Sequence, residues 1–476
     1  MDTPVATPTS DPPRISMKAL LGRQSMQILA ISRMATMLGI ATLSYGAMVY
    51  LAQEGRSQFV ISLFGMTRYG AALLFGIAGG VLADQMSKRN ALVYAYAIQA
   101  LLCFVVPTFF GTDLPELFVV LVLAAILGQL TIPAIKAATS LVATPMEVAS
   151  ASALITVASG IASALGSALV APILINVGGI KAVMYGAGVI LAIGAIRSRA
   201  LPDEPNKHTF WKAFDAVEWR ATFPSPSDTA RWLFEHKGLG SILLAGSLVL
   251  GIFDAIASIM PVYLRDVLNI DPVDTVYVMA PGGIGFVIGA MVGPLLINRI
   301  GERAIASAAL LAMAAGCIGF YLIGPVTPIL SPISPLGILE AMFQRPIPHD
   351  VKAASVLSIP LALGSTMGGA AVQAYVNRRV PLSQQGSTFG RQELLDNATA
   401  MVMVLLFGVV STLVGPRIVF VLAPAIVFVL VILFGQYSYR HAGTVAPSFG
   451  KVAHAMLRFR DQPYDNPVLD PTQDRS

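Results

Sequence analysis

Charge is what this chain has least of. Only 12% of its 476 residues are Asp, Glu, Lys or Arg, against about 25% in ordinary soluble domains, while 55% are hydrophobic. So little polar surface cannot keep a chain of this length in water, and the composition is that of an all-α, multi-pass membrane protein. Cysteine is almost missing too. Cys103 and Cys317 both sit inside apolar runs, which excludes a disulfide framework or a thiolate metal site and leaves two small core residues. No G-x-x-x-x-G-K-[ST] pattern occurs, so no built-in nucleotide motor is expected. The apolar runs hold no His/Glu or Cys/His constellation, so neither metal nor cofactor is expected. An integral-membrane enzyme would need His, Asp or Glu clustered at one membrane face; none is clustered, and the protein is expected not to be an enzyme. Residues 1–25 carry four prolines but no apolar core before a small-residue cleavage site, so no removable signal is expected.

What is abundant is apolar sequence in blocks. Runs able to cross a hydrocarbon core of ~30 Å at ~1.5 Å per helical residue fall near 29–52, 57–83, 91–110, 115–137, 147–175 and 179–197, and again near 240–264, 274–298, 303–323, 353–376, 394–414 and 417–437. Six plus six predicts twelve transmembrane helices in two bundles. The expected organisation is a tail 1–25, a bundle 26–197, a linker 198–238, a second bundle 239–438 and a tail 439–476. An even count puts both tails on one side. Arg14, Lys18, Arg23, Lys88, Arg89, Lys136, Arg299, Arg303, Arg378, Arg379, Arg391 and Arg440 fall on that side, and the opposite loops are poorer in cations and hold Asp113, Glu116, Asp266, Asp271 and Asp274. The basic face is therefore expected to be cytoplasmic, in the cell membrane. The net charge of +5 then sets orientation and implies no nucleic acid. The linker holds all three tryptophans, Trp211, Trp219 and Trp232, and reads as short helices lying along the membrane surface. Prolines at 325, 328, 332, 335, 346 and 348 predict an irregular cap on the opposite face.

A charged knot separates the second and third runs. Gly80-Val81-Leu82-Ala83-Asp84-Gln85-Met86-Ser87-Lys88-Arg89 offers a glycine for close helix approach, a carboxylate, and two cations four and five residues on. The stretch resembles the loop between the second and third spans of the major facilitator superfamily, pattern G-x-L-A-D-x-x-G-R-R, with Gln85 and Ser87 where that family usually has Arg and Gly. The equivalent place after the eighth run reads Pro294-Leu295-Leu296-Ile297-Asn298-Arg299-Ile300-Gly301-Glu302-Arg303. A second, degenerate copy is what parallel repeats related about the membrane normal would carry. The resemblance implies two pseudo-symmetric six-helix bundles and a conformational latch made of Gly80, Asp84, Lys88, Arg89, Asn298, Arg299, Gly301 and Arg303. In it Asp84 would accept hydrogen bonds from the amino end of the eleventh helix, near Gln392 to Leu394. Span five, rich in small residues, carries Gly166-Ser167 where drug:proton antiporters of this superfamily carry Gly-Pro, and its proline comes later, at Pro172. With Ile259–Leu268 and Ala280–Gly285, it makes the drug, macrolide and siderophore exporters the branch this chain resembles most.

Ionisable residues deep in apolar runs are costly and point to function. Arg68 lies about 24 Å of helix before Asp84, and Asp254 about 21 Å into the seventh span, so opposite charges meet at one depth from different halves. They predict a pair that forms and breaks during transport and so couples it to protons; a static structural pair is the alternative. Tyr45, Gln99, Gln129 and Gln373 could line a cavity, or serve as glue between helices. Arg33 and Lys136, near the basic ends of their spans, are expected to snorkel to the surface. The fourth span lacks the mid-span arginine that many proton-driven drug exporters carry. The expected protein is a monomeric transporter that exports an amphiphilic small organic molecule, with lipid and protons as partners. Uptake, lipid flipping or a non-transporting sensor are the alternatives.

Overall fold

Lipid offers the backbone no hydrogen-bond partners, so a chain this apolar must satisfy its own amides, and it does so with helices. The computed structural model describes residues 22–143, 147–204, 237–343, 346–380 and 382–441, together with Lys212 and Arg231. The three tryptophans and the surface helices expected in the linker lie outside the described residues.

The first half is built from α1 (Gln24–Gln53), α2 (Gln58–Gly65), α3 (Thr67–Gln85), α4 (Lys88–Phe109), α5 (Leu114–Val142), α6 (Val148–Leu165) and α7 (Ala171–Ser198). Helices α2 and α3 form one crossing, broken at Met66. A π-helical turn over Gly166–Val170 joins α6 to α7. Gly178 and Gly179 leave the helical region inside α7, and Leu174 meets Gly186 across that break, so the chain doubles back there. The second half is built from α8 (Lys237–Asp266), α9 (Thr275–Ile300), α10 (Glu302–Tyr321), α11 (Ile323–Leu330), α12 (Leu336–Phe343), α13 (His349–Arg379), α14 (Leu382–Val414) and α15 (Pro416–His441).

Nine stretches among the described residues are long and apolar enough to cross a membrane. One of them, Leu154–Ser198, has 45 residues, twice the ~20 that a crossing needs, and contains the reversal at Gly179. Beyond the nine, α10 is apolar up to the point where the chain bends by 106° into α11, and α15 begins with the apolar stretch Pro416–Ile426. Counted so, the architecture is consistent with twelve crossings, six per half. The proline-rich loop makes two helices of eight residues each, α11 and α12, joined through a 3-10 turn at Ser331–Ile333.

One boundary moves substantially. The eleventh crossing was expected from residue 394, whereas α14 starts at Leu382. Hydropathy marks where a helix enters lipid and is blind to a polar extension that projects past it.

The core of the second half centres on Tyr263, Phe320 and Phe420, whose ring centroids lie 4.8 to 5.6 Å apart. The Tyr263 hydroxyl donates to the Phe320 carbonyl at 2.6 Å, so the buried phenol leaves no polar group unpaired. Tyr69, from the first half, is buried in this same cluster. In return Val262 and Val273 join the core of the first half. Cys103 and Cys317 are free and fully buried.

Candidate functional site

The break at Met66 puts Arg68 in the first turn of α3, aimed across the boundary between halves. Its Nη2 donates to Asp254 Oδ2 of α8 at 3.3 Å and to the Tyr69 hydroxyl at 2.7 Å. The guanidinium also lies 4.6 Å from the Tyr69 ring centroid. The Arg68 side chain is 61% exposed and that of Asp254 33%, so the pair borders open space and is not sealed in packing. The equal depth read from the two spans corresponds to a direct contact.

Toward the face opposite the basic loops, the halves are stitched together. Gln53 Nε2 donates to Asp271 Oδ1 at 2.8 Å, and Arg265 Nη1 to the Ala52 carbonyl at 2.7 Å. Gln58 Nε2 donates to the Ser258 carbonyl at 3.2 Å, and the Phe59 amide to Thr412 Oγ1 at 3.0 Å. Toward the basic face, Lys136 and Glu393 pair across the halves at 3.5 Å.

Between these levels lies a carboxylate that sequence reasoning missed. Ser247 of α8 donates a short hydrogen bond to Asp396 of α14, and Thr399 Oγ1 donates to the Ser247 carbonyl at 2.9 Å. Asp396 stands two residues into the run expected from 394, and only that position could have flagged it.

The latch takes a different form from the expected one. Asp84 pairs with Lys88 at 3.4 Å, but its side chain is 80% exposed and that of Lys88 only 9%. Lys88 Nζ donates to the Ala83 carbonyl at 2.8 Å, and the Lys88 amide donates to Glu204 Oε2 at 2.9 Å. Arg89 pairs with Asp203. The two cations thus tie the start of the third crossing to the segment after the sixth. Two expectations are corrected. Gly80 makes no close approach, since a Cβ there would meet nothing within 4 Å; its neighbour Gly79 does, because a Cβ would stand 2.5 Å from the Gln129 carbonyl. Nor is there a free helix start near Gln392 to Leu394, because α14 begins at Leu382 and those amides lie in its interior.

In the second half, Arg299 is exposed. Gly301 turns the chain at φ +89°, ψ 157°. The side chains of Asn298 and Arg303 lie outside the described residues.

Among the expected cavity residues, Gln99 is fully buried and donates to the Ala124 carbonyl at 2.7 Å. Gln129 is buried and bonds within its own helix, to the Ala125 carbonyl at 3.3 Å. Both sit inside first-half packing. The Tyr45 hydroxyl faces Thr275 across the halves, and Gln373 is exposed. Lys136 reaches solvent as expected, but Arg33 does not snorkel. Its Nε donates to Ser159 Oγ at 3.3 Å and its Nη1 is buried.

Comparison with known proteins agrees with this architecture. Residues 29–351 match the family model described as Major Facilitator Superfamily. No curated protein matches the sequence. Solved structures of similar fold include a point mutant of the nucleoside transporter NupG, 14% identical with a TM-score of 0.65, over 86% of this chain and 99% of that one. A bacterial homolog of the human lysosomal transporter Spinster, inward-facing and occupied, is 11% identical with a TM-score of 0.64, over 92% and 98%. A bacterial homologue of the iron transporter ferroportin, inward-facing, is 13% identical with a TM-score of 0.59, over 87% and 98%.

Proposed function

The chain belongs to the Major Facilitator Superfamily, and from that premise we propose that it exports an amphiphilic small organic molecule by alternating access, driven by protons. One observation carries the coupling: the Arg68–Asp254 pair at 3.3 Å is the charged contact at mid-depth between halves and borders open space. Alternating access moves the halves against each other about a central site, so a pair that spans them is made and broken once per cycle. Separation leaves Asp254 without its counter-charge, so its carboxylate is the group through which protons act on the cycle. Re-closure returns the arginine. The ties around Gln53, Gln58 and Arg265 support a conformation closed on the opposite face. Two-sided rocking then opens that face and stretches the mid-depth pair.

The test uses proteoliposomes and a panel of amphiphilic dyes, cationic and anionic, under an imposed pH gradient. Wild-type protein is expected to move at least one dye. Asp254→Asn is expected to abolish the pH-driven movement while binding and non-driven exchange persist, and Arg68→Ala to weaken it. An Asp254→Asn protein that still concentrates dye with the wild-type pH profile overturns the coupling.

A further inference from the structure

We propose that the segment from α11 to α12 is a membrane-seated cap, whose outward face rests in the lipid of the leaflet opposite the basic loops. Its partner is the apolar part of a phospholipid layer. The proposal stands apart from the transport reading and does not depend on it.

The course of the chain sets the orientation. Between α10 and α11 it bends by 106°, so a helix that follows a crossing turns to run along the membrane plane. The stretch Ile323–Ile333 extends only about 16 Å, roughly half of the ~30 Å hydrocarbon core, and is too short to cross. The bend is made at interface depth. Arg417, exposed at the start of α15, donates from Nε to the Tyr321 carbonyl at 2.7 Å, and its guanidinium lies 5.3 Å from the Tyr321 ring centroid. Tyrosines and long cationic side chains collect where headgroups meet hydrocarbon.

The polarity of the segment is inverted for water. Its hydroxyls point into the protein: Thr327 donates to Asp350 Oδ1 at 2.8 Å, Ser331 Oγ pairs with His349 Nδ1 at 2.7 Å, and Ser334 Oγ with Ser355 Oγ at 2.8 Å. These partners stand in the first two turns of α13. Glu340, the sole ionisable residue between Leu322 and Phe343, pairs inward with Lys352. Pro325, Pro328, Ile329, Pro332 and Ile333 are exposed, at the i, i+3, i+4, i+7, i+8 spacing of one helix face. Ile329 is 70% exposed, and Ile333 and Ile338 are 67% exposed. A surface helix in water turns its isoleucines inward and its hydroxyls outward; the reverse order fits lipid.

The apolar face also continues one that belongs to a crossing. Leu311, Ile318 and Leu322 are exposed on α10 and at its end, seven and eleven residues apart and so on one side of the helix. Leu322 leads straight into the stripe on α11. No cation stands on the outward face of the cap, so the seat is made with acyl chains and calls for no anionic headgroup.

The experiment uses full-length protein in phosphatidylcholine vesicles, with an environment-sensitive fluorophore on a cysteine introduced by Ile329→Cys, Ile333→Cys or Ile338→Cys. Cys103 and Cys317 are buried and should stay unlabelled. Leu311→Cys supplies a lipid-facing reference, and Asp113→Cys an aqueous one on the same membrane face. At all three cap positions acyl-chain bromolipid is expected to quench at least half as strongly as at Leu311, and aqueous iodide far less than at Asp113. Replacing half of the phosphatidylcholine with phosphatidylglycerol should change neither; a seat that forms only with phosphatidylglycerol would contradict an apolar footing. A second measurement needs no substitution: wild-type protein irradiated with a phosphatidylcholine that carries a diazirine in its acyl chain should bear adducts on the peptide from Ile323 to Phe343. The proposal is overturned if iodide reaches the cap labels as it reaches Asp113, which makes the face aqueous. It is equally overturned if neither quencher reaches them, which places protein, such as a second copy of this chain, over the stripe. Adducts on α10 with none on the cap peptide overturn it as well.

Discussion

The same turn is built twice in this molecule, by different means. Between α3 and α4 the chain is held by side chains: Lys88 on the Ala83 carbonyl, the Lys88 amide on Glu204, and Arg89 on Asp203. Between α9 and α10 it is held by the backbone of Gly301, in a region that essentially only glycine adopts. An ion pair, Glu302 with Arg378 at 2.8 Å, supports that second turn. Glu302 sits in the first turn of α10, where a negative charge also suits the helix dipole. The first turn can be loosened by charge and salt without rebuilding the backbone; the second cannot.

The largest effect should come from the rigid turn. Gly301→Val forces a β-branched residue into glycine-only geometry and is expected to cost about 1 to 3 kcal/mol, read as a lower unfolding temperature in detergent. Its counterpart Gly80→Ala should be neutral or stabilise by up to about 1 kcal/mol, as for glycine to alanine in any open helix. An equal loss at both sites would erase the contrast. Next comes Glu204→Gln, which weakens the bond to the Lys88 amide; a loss of about 1 kcal/mol is expected, and it should shrink in high salt, whereas the Gly301→Val loss should not. Salt-insensitivity of the first would count against a charge-held turn. Glu393→Gln removes an exposed pair with Lys136 and should change stability by no more than about 1 kcal/mol, while increasing labelling, from the basic face, of a cysteine introduced beside Asp254. Unaltered labelling would deny that pair any role in closing that face.

The smallest effect lies in the cap. Glu340 of α12 pairs with Lys352 of α13, and that hydrogen bond, with the ammonium charge, holds the carboxyl below its ordinary value. A depressed folded value contributes stability that is present above the unfolded value and is lost as pH falls through the folded one. Cap docking, followed by hydrogen exchange over α11 and α12, should thus be retained at neutral pH and weaken only in acid. Glu340→Gln should remove that acid dependence.

Much of the frame was legible in the sequence because hydrophobic length is a local quantity. The Arg68–Asp254 contact was legible because two residues of opposite charge stood at one depth, a sum that needs only helix rise. What was hidden depends on partners far away in the chain. Nothing around Lys88 and Arg89 announces Asp203 and Glu204, more than a hundred residues on. The inward turn of Arg33 was hidden for the same reason, since its depth alone allowed snorkelling and only Ser159 and Tyr96 show where it points. The start of α14 was missed because its first turns are polar, and the close-approach glycine was misplaced by one residue because adjacent helix positions face directions about 100° apart.

The central claim is that the Arg68–Asp254 pair couples the halves to protons and does not merely brace them. The most direct measurement is proton-driven dye accumulation by the charge-swapped protein, Arg68→Asp with Asp254→Arg, compared with the wild type in the same proteoliposomes. The swap preserves a pair across the halves but moves the carboxylate to the other bundle. Folding and dye binding are expected to be restored relative to either single variant, with pH-driven accumulation still lost. Full accumulation with the wild-type pH profile would contradict the account and make the pair a brace.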